Sequence, residues 1–304
     1  MPLILPENLP AVGALQDENI FVMTHQRAVT QDIRPLSILI VNLMPDKIIT
    51  ETQLARLLGN TPLQVQLTLL RTGTHESAHT DTQHLAAFYQ TLEEVRQSRF
   101  DGMIITGAPV EHLAYEDVDY WHELCGLFDF ARNNVYSTIY LCWAALAGLY
   151  YYYGADKEML PQKLSGVYRH RVVRPNNPLM RGFDETFYAP HSRFAGVSRR
   201  AVEQLPQLRV LAESDEAGLH MLSTENGREI YILGHMEYDK DTLKNEYQRD
   251  MERGLAPRLP EHYFEDDDPS RGPLYRWRSH AHLLYSNWLN YYVYQSTPFD
   301  LAKL

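Results

Sequence analysis

The chain has 304 residues, 44% of them apolar and 22% charged, a balance that excludes a disordered or fibrous protein and allows two small domains or one large one. Its formal net charge is −11, and a field of that sign repels phosphate backbones and anionic membrane surfaces, which argues against nucleic acid or membrane as partners. Two cysteines, Cys125 and Cys142, are too few for a disulfide framework, and the start MPLILPENLP lacks the segments of a signal peptide, so a cytoplasmic location is expected.

In chain order, the run LSILIV (Leu36–Val41) predicts a strand buried on both faces. A helix with Leu54, Leu57 and Leu58 on one stripe follows over Glu51–Asn60, stopped by Gly59. Pro62–Thr72 alternates as a strand, and His84–Arg99 has the spacing of one helix. FDGMIITG is a further buried strand, Val118–Arg132 a helix, Val135–Cys142 a fourth buried strand, and Trp143–Gly154 a helix ending on glycine. The window from Asn133 to Ala155 carries no charge and is long enough to span a bilayer, but its six tyrosines, Asn133, Asn134 and Ser137 favour a buried strand and helix. The segments Lys163–Val173 and Phe183–Val197 read as short strand pieces broken by Pro175, Pro178 and Pro190. LRVLAES, GLHMLST and REIYILGH read as a meander returning to the same sheet, Asp241–Arg253 as a polar helix, Asp266–Pro273 as an exposed loop, and Leu283–Gln295 as an aromatic-rich helix. Strand and helix alternate throughout the first half, so the fold class is α/β, a doubly wound and mostly parallel sheet flanked by helices.

Cys142 stands where a buried strand gives way to a helix, at the end of the sheet where doubly wound folds gather their reactive groups. A helix N-terminus favours a thiolate and aims backbone N–H groups at an oxyanion formed beside it. A cysteine in such a strand is otherwise a core residue, the reading given to Cys125. His235 and Glu237 end another buried strand in ILGHMEY; two positions apart, they project to one side and supply a base and its orienting carboxylate. The absence of CxxC and HExxH patterns argues against a metal site.

A Cys at a strand-to-helix elbow followed by His-x-Glu resembles the class I glutamine amidotransferase fold. The blocks LSILIVNLMPDK, FDGMIITGAPVEHLAYEDVDYW, LCWAALAGLYYYYG, YAPHSR, GHMEYD and TLKNEYQRD, in that order, resemble one branch of it, the homoserine O-acyltransferases of methionine biosynthesis. The resemblance implies a thioester nucleophile at Cys142, a general base at His235 oriented by Glu237, and substrate-binding residues at Lys163, Ser192 and Arg249. Lys47 and Trp143 are further candidates. It also implies that Glu111, where succinyl users carry glycine, selects an acetyl donor: its carboxylate repels the distal carboxylate of a succinyl group. The chain departs from the family pattern at Ala144 and Leu146, where Gly and Gln are typical, and at Phe194, where a polar or tyrosine side chain is common.

The expectation is therefore one acyltransferase domain over residues 1–304, with an N-terminal arm to about residue 34 and a C-terminal helical extension over about 241–304. It would move an acetyl group from acetyl-CoA, as co-substrate, to L-homoserine, with no bound cofactor or metal. Alternatives on the same residues are a succinyl donor, L-serine as acceptor, a glutaminase, or a binding protein in which Cys142 is core. Trp288, Tyr291, Tyr292 and Tyr294 could face a second subunit in a homodimer, although tyrosines at helical spacing more often pack inward.

Overall fold

The computed structural model describes residues 3–6, 8–18, 22–23, 34–73, 81–298 and 300–303; much of the expected N-terminal arm lies outside them. Two short strands, β1 (Leu3–Ile4) and β2 (Val22–Met23), flank helix α1 (Pro10–Asp17). The alternating part then runs β3 (Leu36–Val41), α2 (Lys47–Leu58), β4 (Val65–Leu70), α3 (Thr82–Phe88), β5 (Tyr89–Gln90), α4 (Leu92–Val95), β6 (Phe100–Ile105), α5 (Trp121–Asn134), β7 (Val135–Leu141) and α6 (Trp143–Tyr153). A long hairpin, β8 (Glu158–Val172) and β9 (Thr186–Gly196), leads through α7 (Arg199–Glu203) to the meander β10 (Leu208–Ser214), β11 (Gly218–Thr224) and β12 (Glu229–Ile232). Helices α8 (Thr242–Glu252) and α9 (Arg278–Asn287) follow, and α9 continues into a π-helical turn over Trp288–Tyr294.

Among the described residues, all twelve strands form one sheet in the order β2-β1-β4-β3-β6-β7-β12-β11-β10-β8-β9, with β5 beside β4. Pairing is parallel from β2 through β12 and antiparallel from β12 to β9. The expected meander is thus present, and β12 returns it to the parallel half alongside β7. Side chains of β3 divide between two apolar layers: Ile38 and Ile40 pack with Leu54, Leu58, Leu284 and Trp288, while Leu39 and Val41 pack with Leu124, Leu127 and Phe128. Cover on both faces is what makes the parallel strands read as unbroken apolar runs. The uncharged window divides into β7 and α6, and among the described residues no helix is long and apolar enough to cross a membrane.

Two expectations are corrected, and the inward packing expected of the C-terminal aromatic residues is observed. The single helix over His84–Arg99 is interrupted at Tyr89 and Gln90, which pair with Leu69 and Leu70 of β4; Thr91 then starts a new turn, its amide donating to Glu94 Oε2 at 2.7 Å. The pieces around Pro190 are one continuous hairpin, because β9 is the sheet's edge strand, where a missing N–H is tolerated. The aromatic C-terminal segment is chiefly core: Trp288 and Tyr292 are buried, and the Trp288 indole donates to Ser137 Oγ at 2.9 Å, while Tyr294 is exposed.

Gly166 of β8 bridges Glu261, whose amide donates to the Ser165 carbonyl at 2.9 Å while the Val167 amide donates to the Glu261 carbonyl at 2.8 Å. A Cβ at position 166 would lie 2.4 Å from the Glu261 oxygen and 2.8 Å from its nitrogen, both backbone atoms that cannot rotate away. Gly166→Ala is expected to break this bridge at a cost of about 2 kcal/mol or more. Urea denaturation with an unchanged midpoint would contradict the assignment.

Candidate active site

The strands deliver the site residues by register. Leu141 of β7 pairs with Ile232 of β12, and the Cys142 amide donates to the Ile232 carbonyl at 2.7 Å. Cys142 therefore emerges beside the segment that carries His235 three residues further on. Its backbone has φ 49 and ψ −112, a sharp left-handed turn that costs a non-glycine residue on the order of 1–3 kcal/mol, before the chain enters α6. The turn leaves the thiol at the start of a helix, with the Ala145 amide already donating to the Cys142 carbonyl at 3.0 Å.

His235 is buried and lines the same cavity as Cys142. Its Nδ1 lies 2.6 Å from Glu237 Oε1, which directs Nε2 to the sulfur. Burial alone would lower the affinity of this imidazole for a proton; the charges on Cys142 and Glu237 overcome it and raise His235 well above the ordinary histidine value. The arrangement brings a thiol, an imidazole and a carboxylate together. Its backbone is anchored too, since the His235 amide donates to the Pro190 carbonyl at 2.8 Å.

These groups open on a cavity of about 230 Å³. Lys163 from β8, Ser192 from β9, Arg249 from α8 and Glu111 from the loop after β6 all line it with Cys142 and His235, so the structure gathers every residue singled out for substrate contact. It also shows two carboxylates that sequence reasoning missed. Glu246 accepts from Ser192 Oγ at 2.5 Å, from Tyr238 Oη at 2.8 Å and from Lys163 Nζ at 3.5 Å. Asp250 accepts from Lys163 Nζ at 3.3 Å and from Arg249 Nε and Nη2 at 2.9 and 2.8 Å. Tyr238 lies flat on His235, ring centroids 4.2 Å apart, and so ties the imidazole to Glu246. Three donors converging on Glu246 were beyond local spacing rules, because they come from three separate elements.

Glu111 is buried in the cavity wall. Burial raises its carboxyl above the ordinary value, opposed by its own backbone amide and by His235, His112 and Lys163. Lys47 sits elsewhere: its ammonium donates to the carbonyls of Asn42 (2.7 Å) and Met44 (3.2 Å), and burial pulls it down to about 8. It braces the β3–α2 loop, whose Met44 and Pro45 form part of the wall, but does not line the cavity itself. The Trp143 side chain is likewise fully buried among Tyr115 and Tyr120. Ala144 and Leu146 face the apolar layer rather than the cavity, whereas Phe194 lines the cavity and packs on His112 at 4.5 Å.

Behind the site lie three buried histidines, His170, His191 and His220, whose ring nitrogens cluster within 4.8 Å. Burial pushes all three down, His170 to about 3. Their charged neighbour is a guanidinium, Arg193, donating to His191 Nδ1 at 3.2 Å. Three imidazoles beside a buried cation, with no carboxylate, are a poor donor set for a divalent ion.

A cysteine at a strand-to-helix elbow, beside a histidine and a glutamate at the end of the neighbouring parallel strand, sits here in a class I glutamine amidotransferase-like fold. Solved structures agree on the fold. A Thermotoga maritima glutamine amidotransferase superposes with a TM-score of 0.51 at 11% identity, covering 84% of this chain and 98% of its own. One from Methylobacillus flagellatus gives 0.51 at 12% identity, covering 85% and 95%. The homoserine O-succinyltransferase family model matches residues 2–299. A homoserine O-acetyltransferase of Desulfovibrio desulfuricans is 58% identical over 304 residues, 100% of this chain and 97% of that protein. One of Clostridium acetobutylicum is 56% identical over 301 residues, 99% and 100% of the two chains. The chain belongs to the homoserine O-succinyltransferase family.

Gly107 tests the elbow. A Cβ there would stand 3.2 Å from Cys142 Cβ and 3.6 Å from the Trp143 nitrogen, in the space where an oxyanion beside the thiol would have to fit. Gly107→Ala is expected to lower kcat by roughly tenfold or more while the melting temperature stays within a few degrees. Unaltered kcat in the folded variant would place the oxyanion elsewhere.

Proposed function

We propose that this protein is a homoserine O-acetyltransferase, a single cytoplasmic acyltransferase domain that moves an acetyl group from acetyl-CoA to the hydroxyl of L-homoserine through a thioester on Cys142. The observation that carries the reading is one cavity holding the Cys142–His235–Glu237 line together with paired cations and carboxylates. The names of its full-length relatives support it.

The Cys142 thiolate attacks the thioester carbonyl, and the oxyanion forms against the turn between Gly107 and the first amides of α6. Collapse expels the CoA sulfur, which takes the proton held on His235. The homoserine hydroxyl then enters; His235 accepts its proton as the oxygen attacks acetyl-Cys142, and the second collapse restores the thiolate. Glu237 holds the imidazole in line, acting as a positioning residue. Homoserine carries one carboxylate and one ammonium, and the cavity offers both complements: Arg249 and Lys163 for the first, Glu246 and Asp250 for the second. Ser192 supplies a hydrogen bond on the same wall.

Incubation with acetyl-CoA alone is expected to add one acetyl group at Cys142, visible by mass spectrometry, and steady-state lines for the two substrates should be parallel. Cys142→Ala should lose turnover. Intersecting lines with no acetylated cysteine would refute the covalent route.

Donor choice rests on Glu111. The family description names succinyl transfer and the full-length relatives are named for acetyl transfer, so the reading needs a physical basis. A buried carboxylate in the acyl pocket repels the second carboxylate of a succinyl group and occupies its volume. Glu111→Gly is expected to raise the succinyl-CoA to acetyl-CoA ratio of kcat/KM by about tenfold or more. Because burial raises its carboxyl, Glu111 becomes neutral at a higher pH than an exposed glutamate, so the wild-type ratio should climb as pH falls through that range. Groups that act on both donors alike cancel in the ratio. A ratio that is flat with pH and untouched by the substitution would put donor selection elsewhere.

A further inference from the structure

A second cavity of about 240 Å³ adjoins the first. The two share four lining residues, Lys163, Phe194, Asp250 and Leu255, so they are separated by a common wall rather than by a layer of core. The second lies between β8, which contributes Gln162 and Ser165, and the loop after α8, which contributes Leu255 to Leu259. That loop is fixed in place at one end by the Gly166–Glu261 bridge and turns sharply at Gly254 and Ala256, with φ of 71 and 44. Resting on the function proposed above, we propose that this cavity receives the pantetheine arm of the acetyl-CoA donor and that Arg258 at its wall meets the phosphates.

The chemistry of the lining carries the assignment. A thioester donor delivers its acyl group at the end of a long arm made of methylene groups, a gem-dimethyl group and two amides, ending in a polyanion. The cavity supplies matching surfaces in one place: Phe194, Leu255, Pro257, Leu259 and the Tyr247 ring for the apolar parts, and Gln162 and Ser165 for the amides. Leu255 is 65% exposed, unusual for a leucine that borders two cavities, and an arm lying across it would remove that surface from water.

Charge points the same way. The protein as a whole is anionic, so a phosphate group needs a local cation. Of the charged residues lining the second cavity, Asp250 is bound by Arg249 and Lys163, and Glu261 accepts from Tyr168 Oη at 3.0 Å. Arg258 is exposed and has no carboxylate partner among the described residues, which leaves its guanidinium for a phosphate. The acceptor has no need of this space. Its hydroxyl must reach acetyl-Cys142, and the groups suited to its own charges line the first cavity.

Donors of graded length test the proposal in the full-length enzyme. With acetyl-CoA, Arg258→Ala is expected to raise KM about tenfold with kcat nearly unchanged, and Arg258→Lys to recover part of the loss. With S-acetyl-N-acetylcysteamine, which lacks the phosphates and most of the arm, the same variant should match wild type within about twofold. Tyr247→Ala should weaken both acetyl-CoA and acetylpantetheine but spare S-acetyl-N-acetylcysteamine, which separates the arm from the phosphates without touching Arg258. Equal effects of either variant on all three donors, or a raised homoserine KM with an unchanged acetyl-CoA KM, would overturn the assignment. So would an acetylated carrier protein that outcompetes acetyl-CoA at equal concentration, since the arm would then arrive protein-borne. Failure of the wild type to transfer acetyl from acetyl-CoA to homoserine is a separate result and removes the underlying reading instead.

Discussion

The site depends on the parallel pairing of β7 with β12. Because Leu141 is level with Ile232, the Cys142 amide can close a hydrogen bond to that strand while its side chain turns toward the residues just beyond it. A slip of one residue would exchange the two faces of β12 and move its entire following segment. The same level brings in the antiparallel half. Gly234 passes so close to β9 that a Cβ would lie 2.7 Å from the Pro190 oxygen and 3.0 Å from the His191 ring, and the next amide, that of His235, donates to Pro190. One register thus positions thiol, imidazole and the wall that carries Ser192. The strained turn at Cys142 persists because hydrogen bonds on both sides over-determine it.

Much of this was legible in the sequence because burial on both sheet faces writes itself as unbroken apolar runs. LSILIV, FDGMII and VYSTIYL each gave a strand, and Gly154, with φ 68, ended α6 where a glycine stop was expected. The hairpin β8–β9 was misread as fragments because proline is informative only relative to a strand's place in the sheet, and edge position is a tertiary property. The break at Tyr89 had the same origin: helical spacing persisted, but pairing with β4 prevailed over it. The proximity of Cys142, His235 and Glu237 was legible from their places at strand ends. That of Glu246 was not, since Ser192, 54 residues away, and Lys163, 83 residues away, give it its meaning.

Glu246 and Asp250 also explain why the cavity can be lined by charges and still be ordered. Lys163 and Arg249 each have a carboxylate within reach, and Glu246 and Asp250 each accept from more than one donor. Asp250 shows the balance: burial would raise its carboxyl, yet Arg249 and Lys163 hold it below the ordinary value. A zwitterionic amino acid entering such a lattice exchanges one set of complementary contacts for another. That exchange leaves no charge stranded at any stage, which keeps the desolvation cost of binding small compared with burying an isolated ion.

Four histidines meet behind and within the site, and burial together with their partners decides their charge. His170, with one nitrogen near the Tyr168 carbonyl at 2.9 Å, donates through Nδ1 and must accept at Nε2. His191 then donates from Nε2 across 3.0 Å and accepts the Arg193 Nε–H at Nδ1. One set of neutral tautomers satisfies every one of these bonds. Adding a proton to either ring would break one of them and place a second cation beside Arg193, so burial and that guanidinium keep the pair neutral. His235 is as deeply buried but faces a thiol and a carboxylate, and its affinity for a proton moves in the opposite direction. Neighbouring imidazoles are thus driven apart, and the neutral ones form a low-polarity backing behind the Cys142–His235 pair.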